Sequence, residues 1–231
     1  MATLETILGD RLNISVLRWL AASRGGLTGN GIAKRLGAHQ SSIRKALERL
    51  VTTGVVTRRD FGRSAAYALD ENLAVVRKIL IPMFGKEREL WEELQSHLRL
   101  VATTVVPPAR SIILFGSGAR GQRDPQDIDL LVITPARTQN EKVRDLVIAR
   151  TERISRRYGL PIGLIVMAEP ELAAAAHRKL VEEVKRDGVR LAGSVPRALT
   201  GVRRSVKEAH QKEPMNRGRQ AGARRRTSSG I

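Results

Sequence analysis

The sequence contains no cysteine, so neither a disulfide framework nor a thiolate metal site is available to it. Aromatic residues make up 3% of the chain, and any nucleic-acid surface must therefore work through Arg and Lys rather than through stacked rings. No run approaches the roughly 18 consecutive apolar residues of a membrane-spanning helix, so no membrane partner is expected. The opening residues, MATLETILGD, carry an early acid and no apolar segment of the kind a secretory signal needs. A soluble, cytoplasmic protein is the expectation. Acidic residues are scarce as well: 23 Asp and Glu stand against 41 Lys and Arg, a formal charge of +18.

At 231 residues, 42% of them hydrophobic, the chain suffices for one large or two small domains with cores of their own. Its charge is unevenly spread. Residues 1–82 hold 13 Lys and Arg against 6 Asp and Glu, residues 83–196 hold 18 against 15, and residues 197–231 hold 10 against 2. The excess at the two ends suits a polyanionic partner. For the final segment alone, a solubilising tail accounts for it equally well.

Leu12, Val16, Trp19 and Leu20 recur at helical spacing, and Arg24-Gly25-Gly26 ends that helix. A short helix follows over 29-GNGIAKRLG-37. In 38-AHQSSIRKALERLVTTG-54, Ile43, Leu47, Leu50 and Val51 form an apolar stripe that Gly54 closes. The stretch 55-VVTRRDFGRSAAYALD-70 reads as two short strands around Asp60-Phe61-Gly62-Arg63. In this order, LTGNGIAKRLGAHQSSIRKALERLVTTGVVTRR resembles winged-helix transcriptional regulators over roughly 60 residues. The resemblance implies double-stranded DNA as partner, with the third helix in the major groove and the hairpin wing on the adjacent backbone. Its reading face would then carry Gln40 and Arg44 toward base edges. Ser41, Ser42, Lys45, Arg58, Arg59 and Arg63 would meet phosphates, and His39 would only start the helix. A winged helix used for protein contacts alone is the alternative.

Residues 72–106 read as a helical bridge broken at Pro82 and Gly85. Leu90, Trp91, Leu94, Leu98, Val101 and Val105 then mark either packing onto a neighbouring domain or a homodimer seam through residues 90–105. Pro107-Pro108 marks the next boundary. From Pro196 onward no apolar period is sustained, and a disordered basic tail is expected.

The stretch 112-IILFGSGARGQRDPQDIDLLVI-133 spells G-x-G-x-x-G with Gly116, Gly118 and Gly121. A dinucleotide site requires a helix and a parallel crossover after the third glycine, which takes about 10 to 12 residues. Here an apolar strand resumes just after Asp127, so that reading fails. A P-loop fails too, because no Gly-Lys-Ser/Thr closes the turn. Two strands, Ser111–Phe115 and Ile128–Thr134, flank a Gly-Ser turn, and Asp127 and Asp129 share one strand face about 6–7 Å apart. Paired carboxylates beside a turn with room for phosphate suit Mg²⁺.

GSGARG followed by QDIDLLV resembles the signature of the DNA polymerase beta nucleotidyltransferase superfamily in its minimal form, over residues 109–193. The order of a helix at 140–158, a strand at 161–167 and a helix at 169–187 follows the same family. The resemblance implies a nucleoside triphosphate held by Gly116, Ser117 and Arg120, or an Arg120 that braces the turn instead. It also implies Mg²⁺ on Asp127 and Asp129. A third family carboxylate, on the next strand, falls here on Gly163. Glu169 is too far along the strand to replace it, Glu171 is a second candidate, and Asp124 is freer but less well placed.

The expected fold class is α+β: a winged helix-turn-helix over 1–82, a helical linker over 83–106, a small mixed-sheet nucleotidyltransferase-like domain over 107–195 and a basic tail over 196–231. Two readings of function stay open. One is a DNA-binding protein whose second domain transfers a nucleotidyl group with Mg²⁺. The other is a transcriptional regulator whose second domain, lacking the third carboxylate, only binds nucleotide or mediates assembly.

Overall fold

Helix starts in the N-terminal part are fixed by side chains that take up otherwise orphaned backbone donors. The computed structural model describes residues 4–23, 25–62, 64–120 and 125–204, which fall into two compact units meeting at His97/Leu98. The first unit begins with α1 (Leu4–Leu8), which the sequence did not announce, and α2 (Arg11–Ala21). Asp10 caps α2 by accepting from the Leu12 amide at 2.7 Å. After β1 (Leu27–Thr28), Thr28 caps α3 (Gly29–Leu36) by accepting from Gly31 at 3.1 Å. Then come α4 (Gln40–Thr52), β2 (Val56–Phe61) and β3 (Ser64–Leu69).

The core of this unit joins Val16, Leu17 and Leu20 of α2 to Ile32, Ile43, Leu47, Leu50 and Tyr67. Leu17 takes the inward position expected of Trp19. The indole instead lies half-buried beneath the Arg35 guanidinium, 5.4 Å from the ring centre. The sheet order is β1-β3-β2, all antiparallel, and the last wing pair is Phe61 with Ser64. Gly62, which follows Phe61, takes φ +58°, as tight hairpin turns demand. Arg63 itself lies outside the described residues.

The breaks expected at Pro82 and Gly85 do not occur, since both lie inside α5 (Ile81–Val105). Its approach is a π-helical turn, Val76–Leu80, in which the Ile81 amide reaches back to the Val76 carbonyl. That wider register falls just where Pro82 has no N–H to donate, so the ladder is already interrupted and the helix continues.

The second unit contains β4 (Ser111–Phe115), α6 (Gly116–Ala119), β5 (Ile128–Thr134), α7 (Asn140–Tyr158), β6 (Ile162–Ala168), α8 (Arg178–Asp187) and β7 (Val189–Gly193). The sheet order is β6-β5-β4-β7. The pair β4/β5 is antiparallel, as the short connection required, while α7 carries the chain over to a parallel β6. All of β4 and nearly all of β5 are buried, which explains their unbroken apolar runs. The helix expected over 169–187 is in fact two 3₁₀ turns, Glu169–Ala173 and Ala175–His177, followed by α8. Ala174 is extended between them, and the Glu171 carboxylate accepts from the Ala168 amide at 2.7 Å, which fixes the turn at that point. The chain also stays with this unit past Pro196. Leu199 is fully buried, and Arg203 bonds through its amide to the Gly188 carbonyl at 3.0 Å. Leu199 and Val202 are too few to register as a period. The tail beyond residue 204 lies outside the described residues.

Candidate functional site

In the first unit, α4 buries Ile43, Ala46, Leu47 and Leu50, so Gln40, Ser41, Ser42, Arg44 and Lys45 are left on its exposed side. Gln40 is tied down, its amide donating to Asn30 of α3 at 2.8 Å. Arg44 makes only a loose pair with Glu48 at 3.6 Å, with both side chains largely exposed. The two wing arginines differ. Arg58 is bound to Asp60 at 2.8 Å, whereas Arg59 is exposed and has no ionic partner among the described residues. Sequence spacing treats these arginines alike, and only the strand geometry separates them.

The stripe on α5 divides in the same way. Leu94, Leu98 and Val105 are buried within the single chain, and Leu90 and Leu100 remain 55% and 63% exposed.

In the second unit, the antiparallel register sets Phe115 opposite Asp129, so the chain leaves β4 directly beside that carboxylate. Gly116 turns there with φ +68°, and an added Cβ would overlap Asp129 Oδ2 and lie 3.1 Å from its Cγ. Only glycine fits both the angle and the space. The next residue, Ser117, has a buried hydroxyl oxygen with no hydrogen-bond partner among the described residues, an unusual state unless a ligand is meant to fill it.

Asp129 is half-buried and Asp127 exposed. Burial first, then the charges of Asp127 and Glu183, hold the Asp129 carboxyl above its usual range, with Arg120 working the other way. Across the parallel pair Asp129 faces Gly163, whose absent Cβ would lie 3.0 Å from Asp129 Oδ1. The place beside the pair is thus occupied by a residue without a side chain. Neither glutamate supplies the missing group. Glu169 is ion-paired with Arg110, and Glu171 is spent on the Ala168 amide and on Asn140. Asp124 lies outside the described residues.

Arg120 does not extend freely toward phosphate. Its Nη1 is shared between Glu183 at 3.1 Å and Asp187 at 3.4 Å of α8. Burial works to raise the Asp187 carboxyl, but hydrogen bonds and charge from Arg186 and Arg120 outweigh it and hold it below its usual range. Sequence reasoning missed Arg203, which clamps this arrangement from behind. It donates to the Ala119 carbonyl at 2.8 Å and also to the Asp187 carbonyl. A single Arg in a basic segment carries no signal of such a role.

The donor set suits a hard cation shared with a nucleotide. The carboxylates of Asp127 and Asp129 are hard oxygen ligands near one another, and the raised Asp129 carboxyl gains from a nearby positive charge. Among the described residues no three His, Cys, Asp or Glu side chains gather as a metal cage. Mg²⁺ bound to Asp127 and Asp129 would draw its remaining ligands from water and phosphate, which is its ordinary habit.

These features describe a winged helix followed by a mixed sheet with a glycine turn and an aspartate pair. Comparison with known proteins gives two segment matches. Residues 10–64 match the MarR family, and residues 88–191 match the nucleotidyltransferase domain. Among solved structures, the crystal structure of an ArsR family transcriptional regulator matches at 25% identity, over 40% of this chain and 97% of that one, with a TM-score of 0.28. No curated protein matches. The chain joins a MarR-type DNA-binding domain to a nucleotidyltransferase domain, and among the described residues no helix is long and apolar enough to cross a membrane.

Proposed function

We propose that the protein is a transcriptional regulator whose nucleotidyltransferase domain binds a magnesium–nucleotide complex without transferring it efficiently. The carrying observation is Gly163, set in register beside Asp129 where a third carboxylate would stand. Mg²⁺, when bound, would neutralise charge on phosphate oxygens. Asp127 and Asp129 would hold it, and the Ser117 hydroxyl and the backbone at Gly116 would receive the phosphates. No carboxylate of β6 is present to take a proton from an attacking hydroxyl. Incubation with labelled nucleoside triphosphates, Mn²⁺ and cell extract tests this. Equal, background-level labelling by wild type and by Asp127→Ala/Asp129→Ala is expected, while equilibrium binding of the nucleotide is lost only in the variant. Strong labelling that depends on the aspartates would overturn the reading.

On the DNA side, support comes from the exposed α4 side chains and from a basic wing. Arg44→Ala should flatten sequence preference, whereas wing changes should act on all duplexes alike. The wing arginines should not be equivalent, because Arg58 must give up Asp60 before it can meet phosphate. Arg59→Ala is expected to weaken duplex binding roughly ten-fold and Arg58→Ala by less. Asp60→Asn should strengthen binding a few-fold at low salt by removing a repelling charge. Fluorescence-anisotropy titrations at several salt concentrations measure all three, and equal losses for the two arginines would contradict this division of labour.

A further inference from the structure

The chain has three phenylalanines. Phe84 and Phe115 are each 6% exposed within their units, and Phe61 is 65% exposed at the tip of the wing. A single exposed aromatic needs no explanation on an ordinary surface. The setting of this one is not ordinary. Residues paired across a strand ladder share a face, so Val56, Tyr67 and Leu69 mark the side of the wing turned to the core. Thr57, Arg59 and Phe61, with their partners Ala68, Ala66 and Ser64, form the opposite side. All three β3 residues on that side are small. Arg59 and Phe61 are therefore its two large side chains, next to one another on alternate positions of β2, with Phe61 at the far end of the β2–β3 hairpin.

An exposed apolar ring beside a cation near a hairpin tip suits a negatively charged groove lined by stacked base edges and sugars. The minor groove of duplex DNA, too narrow for the whole ribbon but open to an inserted side chain, carries that potential, and apolar side chains are the usual wedges between its base steps. Charge complementarity commits the surface to nucleic acid: Arg59 has no ionic partner among the described residues, and the one acid of the wing, Asp60, lies on the other side, bound to Arg58.

Resting on the DNA-binding reading above, we propose that Phe61 is a minor-groove wedge. It leans on, and partly unstacks, the base step where the wing lands. The protein would thereby prefer duplexes with an easily unstacked pyrimidine–purine step at that position, a preference carried by deformability rather than by base hydrogen bonds.

The test uses the full-length chain, a duplex selected for binding by wild type, and 2-aminopurine placed at successive flanking positions. Wild type should raise the fluorescence at one flanking step and bind a TA step there roughly ten-fold better than a GC step. Phe61→Ala should lose the fluorescence rise and most of that discrimination while keeping the wild-type salt slope, because no phosphate contact is removed. Phe61→Leu should retain part of both. Arg59→Ala should do the opposite to the salt slope and lower it by about one ion. Because Phe61 is exposed, an unchanged thermal melt shows that the variants are folded. If wild type binds duplex and Phe61→Ala matches it in fluorescence and step preference, the wedge is wrong and the DNA-binding reading stands. If wild type selects no duplex at all, the DNA-binding reading itself fails, and the wedge with it.

Discussion

Gly116→Ala is expected to destabilise the second unit by about 2–4 kcal/mol and to abolish nucleotide–metal binding together. Two costs combine. The left-handed backbone at φ +68° disfavours any Cβ by about 1–2 kcal/mol. The methyl carbon would also overlap Asp129 Oδ2, so the carboxylate must swing away from its present orientation. The steric part can be isolated. Asp129→Ala removes the Oδ2 and Cγ atoms that the new methyl would strike and leaves only an ordinary approach of 3.4 Å to Cβ. The double variant should therefore be more stable than the sum of the two single changes predicts, with only the backbone cost remaining. Denaturant melts of the four proteins complete the cycle. Strict additivity would mean that Gly116 and Asp129 do not meet in this way, and nucleotide binding that survives Gly116→Ala would remove the turn from the site.

Whether a feature could be foreseen depended on whether its cause was local. The limits of β4, β5 and α7 follow from apolar runs and from a capping glycine at 159, so sequence and structure agree on them. The antiparallel return of β5 followed from five residues being too few for a crossover. Gly163, the position that the family resemblance gave to the third carboxylate, lies opposite Asp129 in the parallel register. Where a distant partner decides, the sequence was silent. Trp19 is displaced from the core because Arg35 covers its ring, and the π-helical turn at Val76–Leu80 lets a helix run through Pro82. Glu171 is occupied by the Ala168 amide, which breaks the expected long helix and removes a candidate carboxylate at once. Arg120 offered two roles on paper, phosphate ligand or brace. The choice rests on Glu183 and Asp187, more than sixty residues away in the chain.

Glu87→Ala should destabilise the first unit by about 2–3 kcal/mol. Arg18 lies on the inner side of α2 with its side chain 9% exposed, and its Nε and Nη2 reach the two oxygens of Glu87 at 2.6 and 2.7 Å. The geometry is bidentate, and the guanidinium also lies 5.9 Å from the centre of the Phe84 ring. Removing the carboxylate takes both bidentate acceptor oxygens from a largely buried guanidinium. The cost falls short of that for a wholly buried pair, since Glu87 is itself 42% exposed and partly solvated. Charge rather than packing should dominate, so Glu87→Gln, which keeps the shape, is expected to lose nearly as much as Glu87→Ala. Replacing both partners, Arg18→Met with Glu87→Met, should recover most of the loss, because an apolar pair carries no desolvation penalty. Urea melts of the four proteins decide between these outcomes. A Glu87→Gln variant as stable as wild type would show that the pair acts through shape and hydrogen bonding alone.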